Sequence, residues 1–161
     1  MERINNNTLK FINFLKENKI KEKDRIAAYT VNQIETVEGF LATSAIGAIW
    51  SSCSPDFGTQ GVIERFSQIK PKLLIITDRY YYNGKEINII DRLPAILKKI
   101  KSIKSVLIIN YPGKKNLKQK KVKGVNFFYY NKLKDSKEKK FQFKKFDFDK
   151  ELAILYSSGT T

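Results

Sequence analysis

Four short runs of this 161-residue sequence are apolar at consecutive positions rather than at alternating ones. They extend from Ile26 to Tyr29, Leu73 to Ile76, Val106 to Ile109 and Leu152 to Tyr156. A strand that is apolar on both sides must be covered on both faces, as the strands of a parallel sheet are. The runs therefore predict a buried, mostly parallel sheet with helices packed against it.

Segments with helical periodicity lie between these runs. Four helices are predicted, at Thr8 to Asn18, Gln33 to Ile49, Gln60 to Ile69 and from Asp91, as N-cap, to Ile103. The second half of the segment that ends at Ile49 is apolar nearly all round and is predicted to be buried, with Trp50 in the core. A further strand is predicted at Val125 to Tyr130. Alternating strands and helices over this length predict an α/β fold.

The residue types exclude several kinds of chemistry. The chain has no histidine and a single cysteine, Cys53, which we interpret as a small buried core residue. These counts exclude Ser-His-Asp and Cys-His nucleophilic sites, histidine-ligated zinc, an intrachain disulfide and a four-cysteine metal site. We expect no metal site in this chain and a reduced, cytoplasmic location. The longest nearly apolar stretch, Gly39 to Trp50, is too short to cross a bilayer.

The formal net charge of +15 is concentrated in one part of the chain. Between Gly113 and Lys150 there are 14 lysines and only 4 acidic residues. Arginine, which recognises phosphates and bases through two hydrogen bonds, occurs 5 times against 26 lysines. We therefore interpret the charge as compositional drift and expect no nucleic-acid partner. A non-catalytic basic protein that binds nucleic acid or an anionic surface through Lys114 to Lys145 remains the alternative.

A short polar segment directly follows the last apolar run. Its residues are Ser157, Ser158, Gly159, Thr160 and Thr161. Hydroxyl side chains and a glycine after a strand give a backbone that can wrap around an anion. The segment is not a Walker P-loop, because no Gly-Lys-Ser/Thr string is present. On composition alone, an ordinary turn at the end of a strand is the favoured interpretation.

The same segment, with Tyr156 before it, resembles the start of the phosphate-binding loop of the adenylate-forming, or AMP-binding, enzymes. That loop continues with a glycine and ends in a lysine in the family. Other segments resemble, more narrowly, the acetoacetyl-CoA synthetases of this family: Asp24 to Tyr29, Gly47 to Gly58 (GAIWSSCSPDFG), Arg65 to Lys72 (RFSQIKPK) and Tyr82 to Lys85 (YNGK). The resemblance extends in order from Thr8 to Thr161 and is weakest between Lys114 and Lys145.

The resemblance implies that residues 1–161 are part of the large N-terminal AMP-binding domain and stop within the phosphate-binding loop. It implies a ligase that joins acetoacetate to ATP as an acyl-adenylate and then transfers the acyl group to CoA. Ser157, Ser158, Gly159, Thr160 and Thr161 would hold the β- and γ-phosphates. Mg²⁺ would accompany ATP, with its ligand carboxylate downstream of this chain. The resemblance identifies no catalytic residue here, and we expect the chain alone to be inactive.

The resemblance also implies a CoA-binding turn between Tyr80 and Lys85. Asn83 and Gly84 would form the tight turn, and Lys85 would supply a positive charge for the CoA phosphates. Tyr81 stands where acetoacetyl-CoA synthetases typically have an arginine, which puts a phosphate contact at that position in doubt. A plain Asn-Gly turn with a solvated lysine remains the alternative.

The resemblance implies that the acyl pocket lies outside this chain, so these residues do not identify the acid that the ligase activates. The motifs at both ends of the chain are shared with synthetases for other short acids. A ligase for acetate or propionate is therefore the alternative to one for acetoacetate.

Overall fold

The computed structural model describes residues 2–114, 117, 122–135 and 144–157. The seven strands of this part are β1 (Arg25–Tyr29), β2 (Ile49–Cys53), β3 (Leu73–Thr77), β4 (Arg79–Tyr82), β5 (Lys85–Asn88), β6 (Ser105–Ile109) and β7 (Asn126–Tyr129). The four α-helices are α1 (Glu2–Glu17), α2 (Ile34–Ala45), α3 (Thr59–Ile69) and α4 (Leu93–Lys99). Among these residues, no helix combines the length and hydrophobicity that a bilayer-spanning segment requires.

Five of the strands form one sheet in the order β2-β1-β3-β6-β7, and all neighbouring pairs are parallel. Strands β4 and β5 form a separate antiparallel hairpin between β3 and α4. Parallel neighbours need crossover connections, and α2 and α3 supply those that follow β1 and β2. The predicted α/β fold with a mostly parallel sheet is confirmed.

Successive residues of the central strands face opposite sides of the sheet, and both sides are covered. One hydrophobic cluster joins α1 and α2 to the first face of the sheet: Phe11, Phe14, Leu15, Ala42, Ile26, Ala28, Leu73, Ile75, Leu107 and Ile109. The other joins α3 and α4 to the opposite face: Val62, Phe66, Ile96, Leu97, Ala27, Tyr29, Leu74, Ile76, Val106 and Ile108. The runs are apolar at every position because each residue enters one of two cores.

The prediction of one helix from Gln33 to Ile49 is wrong at its C-terminal end. Helix α2 ends at Ala45, Gly47 adopts a positive φ of 71°, and the chain then enters strand β2. Trp50 is buried as predicted, but it lies in that strand. The predicted burial of the second half of the helix is also wrong in part, because Leu41 is 40% exposed.

The predicted buried strand from Leu152 to Tyr156 is reduced to a single bridge. Ala153 forms a parallel bridge with Trp50, whose N–H donates to the Leu152 carbonyl at 3.1 Å. Leu152 and Leu155 are 52% and 81% exposed. The segment lies along the outer edge of β2, so in the described part of the chain it has a strand neighbour on one side only.

The predicted N-cap at Asp91 is wrong as well. Asp91 lies in a 3₁₀ turn, Ile90–Arg92, and its carboxylate accepts a hydrogen bond from Asn88 Nδ2 at 3.0 Å. The α-helix begins two residues later, and Pro94 occupies its first turn as predicted.

We expect Gly47→Ala to lower the free energy of unfolding by about 1–3 kcal/mol, because a side chain at positive φ is strained. An added Cβ atom would also lie 2.7 Å from the ring of Phe146. Urea unfolding of the purified chain measures the change. The matched control is Gly58→Ser, at the N-cap of α3, where φ is −62° and the space is open. Serine is a favoured N-cap residue, so equal losses in the two variants would contradict the prediction.

Candidate functional site

The carboxyl edge of the sheet is where a ligand site is expected in an open α/β fold, near the point at which the strand order reverses. The order reverses at β1, because β2 lies on one side of it and β3 on the other. The loops after β1 and β2 and the start of β4 meet at this edge around one cleft of about 320 Å³.

The cleft is lined mainly by polar side chains, which include Thr30, Asn32, Ser54, Asp56 and Tyr80. Thr30 is 7% exposed, and its buried Oγ1 has no hydrogen-bond partner among the described residues. Burial raises the pKa of the Tyr80 hydroxyl, and a hydrogen bond with Asp56 raises it further. A buried hydroxyl without a partner is costly, so the cleft favours a ligand with polar groups.

Hydrogen bonds fix the loop that forms one wall of the cleft. Arg92 Nη1 donates to the carbonyl oxygens of Pro55 and Phe57, both at 3.0 Å, and contacts the Tyr29 hydroxyl. The Tyr29 hydroxyl in turn donates to the Pro55 carbonyl at 3.1 Å. Cys53 lies below this loop and is 5% exposed, which confirms its interpretation as a buried core residue. Burial raises the pKa of its thiol, which disfavours the nucleophilic thiolate.

The β4–β5 hairpin borders the same cleft. Asn83 and Gly84 connect its strands with φ angles of 49° and 73°, so the predicted tight turn is confirmed. Tyr82 pairs with Lys85 across the hairpin, and paired side chains lie on the same face. Side chains alternate along a strand, so this face is also that of Tyr80, which lines the cleft. Lys85 is exposed and lies on the same face of the hairpin as Tyr80.

The predicted phosphate-binding segment begins near the same edge of the sheet. The chain from Leu152 to Tyr156 runs parallel to β2, so Ser157 emerges in the direction of the carboxyl ends. Ser51 Oγ donates to the Ile154 carbonyl at 2.8 Å, and the Tyr156 hydroxyl donates to the Arg65 carbonyl at 2.7 Å. Ser157 is exposed.

The remaining predicted residues of that segment, Ser158, Gly159, Thr160 and Thr161, lie outside the described residues. The described residues also contain no group of three or more Cys, Asp or Glu side chains that could hold a metal ion.

Thr30 is a site residue that sequence analysis did not identify; it lines the same cleft as Tyr80, the first residue of the predicted CoA-binding turn. The two residues are 50 positions apart and meet only because β1 and β3 are neighbours in the sheet. The available signal for Thr30 was positional, since it directly follows the strand that ends at Tyr29.

Comparison with known proteins identifies the fold family. Residues 2–161 match the AMP-binding enzyme family. The chain belongs to this family. It is similar to acetoacetyl-CoA synthetase of Xenopus tropicalis, with 40% identity over 146 residues, and to acetoacetyl-coenzyme A synthetase of Rhizobium meliloti, with 41% identity over 138 residues. These alignments cover 88% and 86% of this chain but only 22% and 21% of the two relatives.

A solved structure of an AMP-binding enzyme has the same architecture. Acetoacetyl-CoA synthetase from Streptomyces lividans superimposes with a TM-score of 0.85 at 29% sequence identity. The match covers 98% of this chain and 23% of that one. The chain thus spans about a fifth of the length of the proteins that it matches.

Proposed function

We propose that this chain is part of an ATP-dependent ligase that activates acetoacetate as an acyl-adenylate and transfers the acyl group to CoA. The identity to acetoacetyl-CoA synthetases, which are AMP-binding enzymes, carries the proposal. Residues 1–161 would form part of the large N-terminal domain of that protein, the complete ligase.

In this proposal, Ser157, Ser158, Gly159, Thr160 and Thr161 donate hydrogen bonds to the β- and γ-phosphates of ATP. A carboxylate oxygen is a weak nucleophile, so the protein must hold the two reactants in line and neutralise the charge on the phosphates. Hydroxyl and backbone N–H groups meet the second need without a change of protonation. Mg²⁺ would add charge neutralisation when bound with ATP, through residues outside the described part.

CoA binding is proposed for the turn of the hairpin and the cleft beside it. Lys85 is exposed on the face of the hairpin that Tyr80 shares, and Tyr80 lines the cleft. Asn83 and Gly84 give the turn its shape, and Lys85 would attract a CoA phosphate. The polar cleft, with the unpartnered Thr30 Oγ1, would accept the nucleoside part of CoA.

ATP–pyrophosphate exchange by the complete ligase tests the proposed function. We expect exchange with acetoacetate and much slower exchange with acetate or propionate. Faster exchange with acetate or propionate would instead identify a ligase for another short acid. The 161-residue chain alone is expected to show none, and exchange by it above a matched Ser158→Ala variant would contradict this.

We expect Lys85→Gln to raise KM for CoA about fivefold and to leave KM for ATP unchanged, because an exposed charge contact contributes up to about 1 kcal/mol. Steady-state kinetics of the complete ligase at two salt concentrations measures the effect. The control is Lys98→Gln, which removes an exposed lysine from α4. If both variants behave alike, the assignment of Lys85 to CoA is wrong.

A further inference from the structure

The face of the hairpin that is turned away from the cleft carries a network of charged and aromatic side chains. It starts at Asp78, which follows β3 and is fully buried. The Asp78 carboxylate accepts hydrogen bonds from the Tyr111 N–H at 2.9 Å and from Asn110 Nδ2 at 3.3 Å, both in the loop after β6. It also accepts one from Arg79 Nη2 at 3.1 Å. Asp78 therefore joins the carboxyl ends of β3 and β6 to the first residue of the hairpin.

Arg79 extends this network to the second strand of the hairpin. Its side chain is 7% exposed, and its Nη1 donates to Glu86 Oε1 at 3.1 Å. Glu86 also accepts a hydrogen bond from the Tyr81 hydroxyl, which lowers the pKa of Glu86. The ring of Tyr81 packs against that of Tyr111, with 4.9 Å between the centroids.

Pairing in the hairpin separates these residues from the cleft. Tyr81 is paired with Glu86, and Arg79 lies two residues before Tyr81, so the three side chains share one face. Lys85 and Tyr80 lie on the opposite face. The Tyr81 side chain is therefore turned away from the cleft that Tyr80 lines.

A two-stranded hairpin is only marginally stable by itself, so its contacts with the rest of the fold determine its orientation relative to the sheet. The buried guanidinium group of Arg79 lies between two carboxylates, that of Asp78 at the end of β3 and that of Glu86 in β5. Such a group is costly unless both its charge and its hydrogen bonds are satisfied, which favours the arrangement in which Arg79 connects Glu86 of β5 to Asp78 at the end of β3.

We propose that Arg79 and Glu86 are positioning residues for CoA, which hold the β4–β5 hairpin with Tyr80 and Lys85 facing the cleft. This inference rests on the proposed function. Neither residue contacts the ligand. Their effect is to keep the lysine charge beside a cleft that takes a phosphorylated nucleotide.

Calorimetric titration of the complete ligase with CoA and, separately, with ATP tests the inference. Glu86→Ala removes both contacts of the carboxylate, and its exposure of 39% means that no core cavity is left. If the hairpin is then correctly placed a tenth of the time, Kd for CoA rises about tenfold. Kd for ATP and the rate of ATP–pyrophosphate exchange, which does not use CoA, should change less than twofold. Glu86→Gln keeps a hydrogen-bond acceptor and should lie between Glu86→Ala and the wild type.

The matched control breaks an ion pair at the opposite end of β3. Lys72 precedes that strand, and its Nζ lies 2.7 Å from the Asp24 carboxylate. Lys72→Gln should leave Kd for CoA unchanged. An unchanged Kd for CoA in Glu86→Ala, or an equal increase in Lys72→Gln, would overturn the inference.

The result also separates this inference from the proposed function. If the wild type binds CoA but shows no exchange with acetoacetate, the proposed acid is wrong and the CoA titrations still decide the role of Glu86. If the wild type does not bind CoA, the positioning role is wrong together with the CoA site.

Discussion

Ser158→Ala in the complete ligase is expected to slow acetoacetate-dependent ATP–pyrophosphate exchange by about 10²–10³-fold, by analogy with the loss of one preorganised donor from an oxyanion hole. The reason is that catalysis by the proposed loop depends on fixed donors around phosphates, and water replaces a lost donor poorly. Initial rates of exchange at saturating ATP measure the loss.

The control for this variant is Ser67→Ala, which removes an exposed serine from α3. Its exchange rate should stay within twofold of the wild type. A Ser158→Ala enzyme that keeps more than a tenth of the wild-type rate would contradict the assignment of Ser158 to the phosphates.

Phe11→Ala is expected to lower the free energy of unfolding by about 3–5 kcal/mol, since it removes a large buried ring. The Phe11 side chain is 0% exposed and lies between α1 and α2. An added Cβ atom on Gly39 of α2 would be 3.1 Å from the ring, which shows how closely the two helices approach there. Urea unfolding of the purified chain measures the loss.

The chain offers a second phenylalanine as a control for the same substitution. Phe148 is fully exposed, so Phe148→Ala should change the free energy of unfolding by less than about 0.5 kcal/mol. A similar loss in both variants would mean that α1 does not pack on α2 as described.

The sequence predicted strands β1, β3, β6 and β7 of the sheet but missed β2. Strands β1, β3 and β6 each contain four consecutive apolar residues because they are covered on both faces, and that pattern is visible without a structure. Strand β2 contains Ser51 and Ser52 and directly follows a helical pattern, so the sequence predicts its first residue, Ile49, as the end of that helix. Ser51 is nevertheless fully buried, because its hydroxyl donates to the Ile154 carbonyl, a partner far away in sequence.

The candidate site also has one part that the sequence predicts and one part that it does not. The Asn83-Gly84 turn is predictable because a local backbone requirement selects those residues. The cleft is not predictable from the sequence, because Thr30 and Tyr80 come together only through the pairing of β1 with β3. Asp78 and Arg79 are both charged, and the sequence gives no sign that the fold buries them at the base of the hairpin.

The segment that pairs with the outer edge of β2 is synthesised long after β2 itself. This order affects how the chain folds during synthesis. Ile154, whose carbonyl accepts the hydrogen bond from Ser51, is 103 residues away. At about 5–20 residues per second, that separation corresponds to a delay of about 5–20 s. Throughout this delay the outer edge of β2 is unpaired, and an open strand edge is a template for association with other nascent chains. Synthesis of the lysine-rich region between Gly113 and Lys150 takes up part of this delay, so slow translation there would lengthen the time for which the edge stays open.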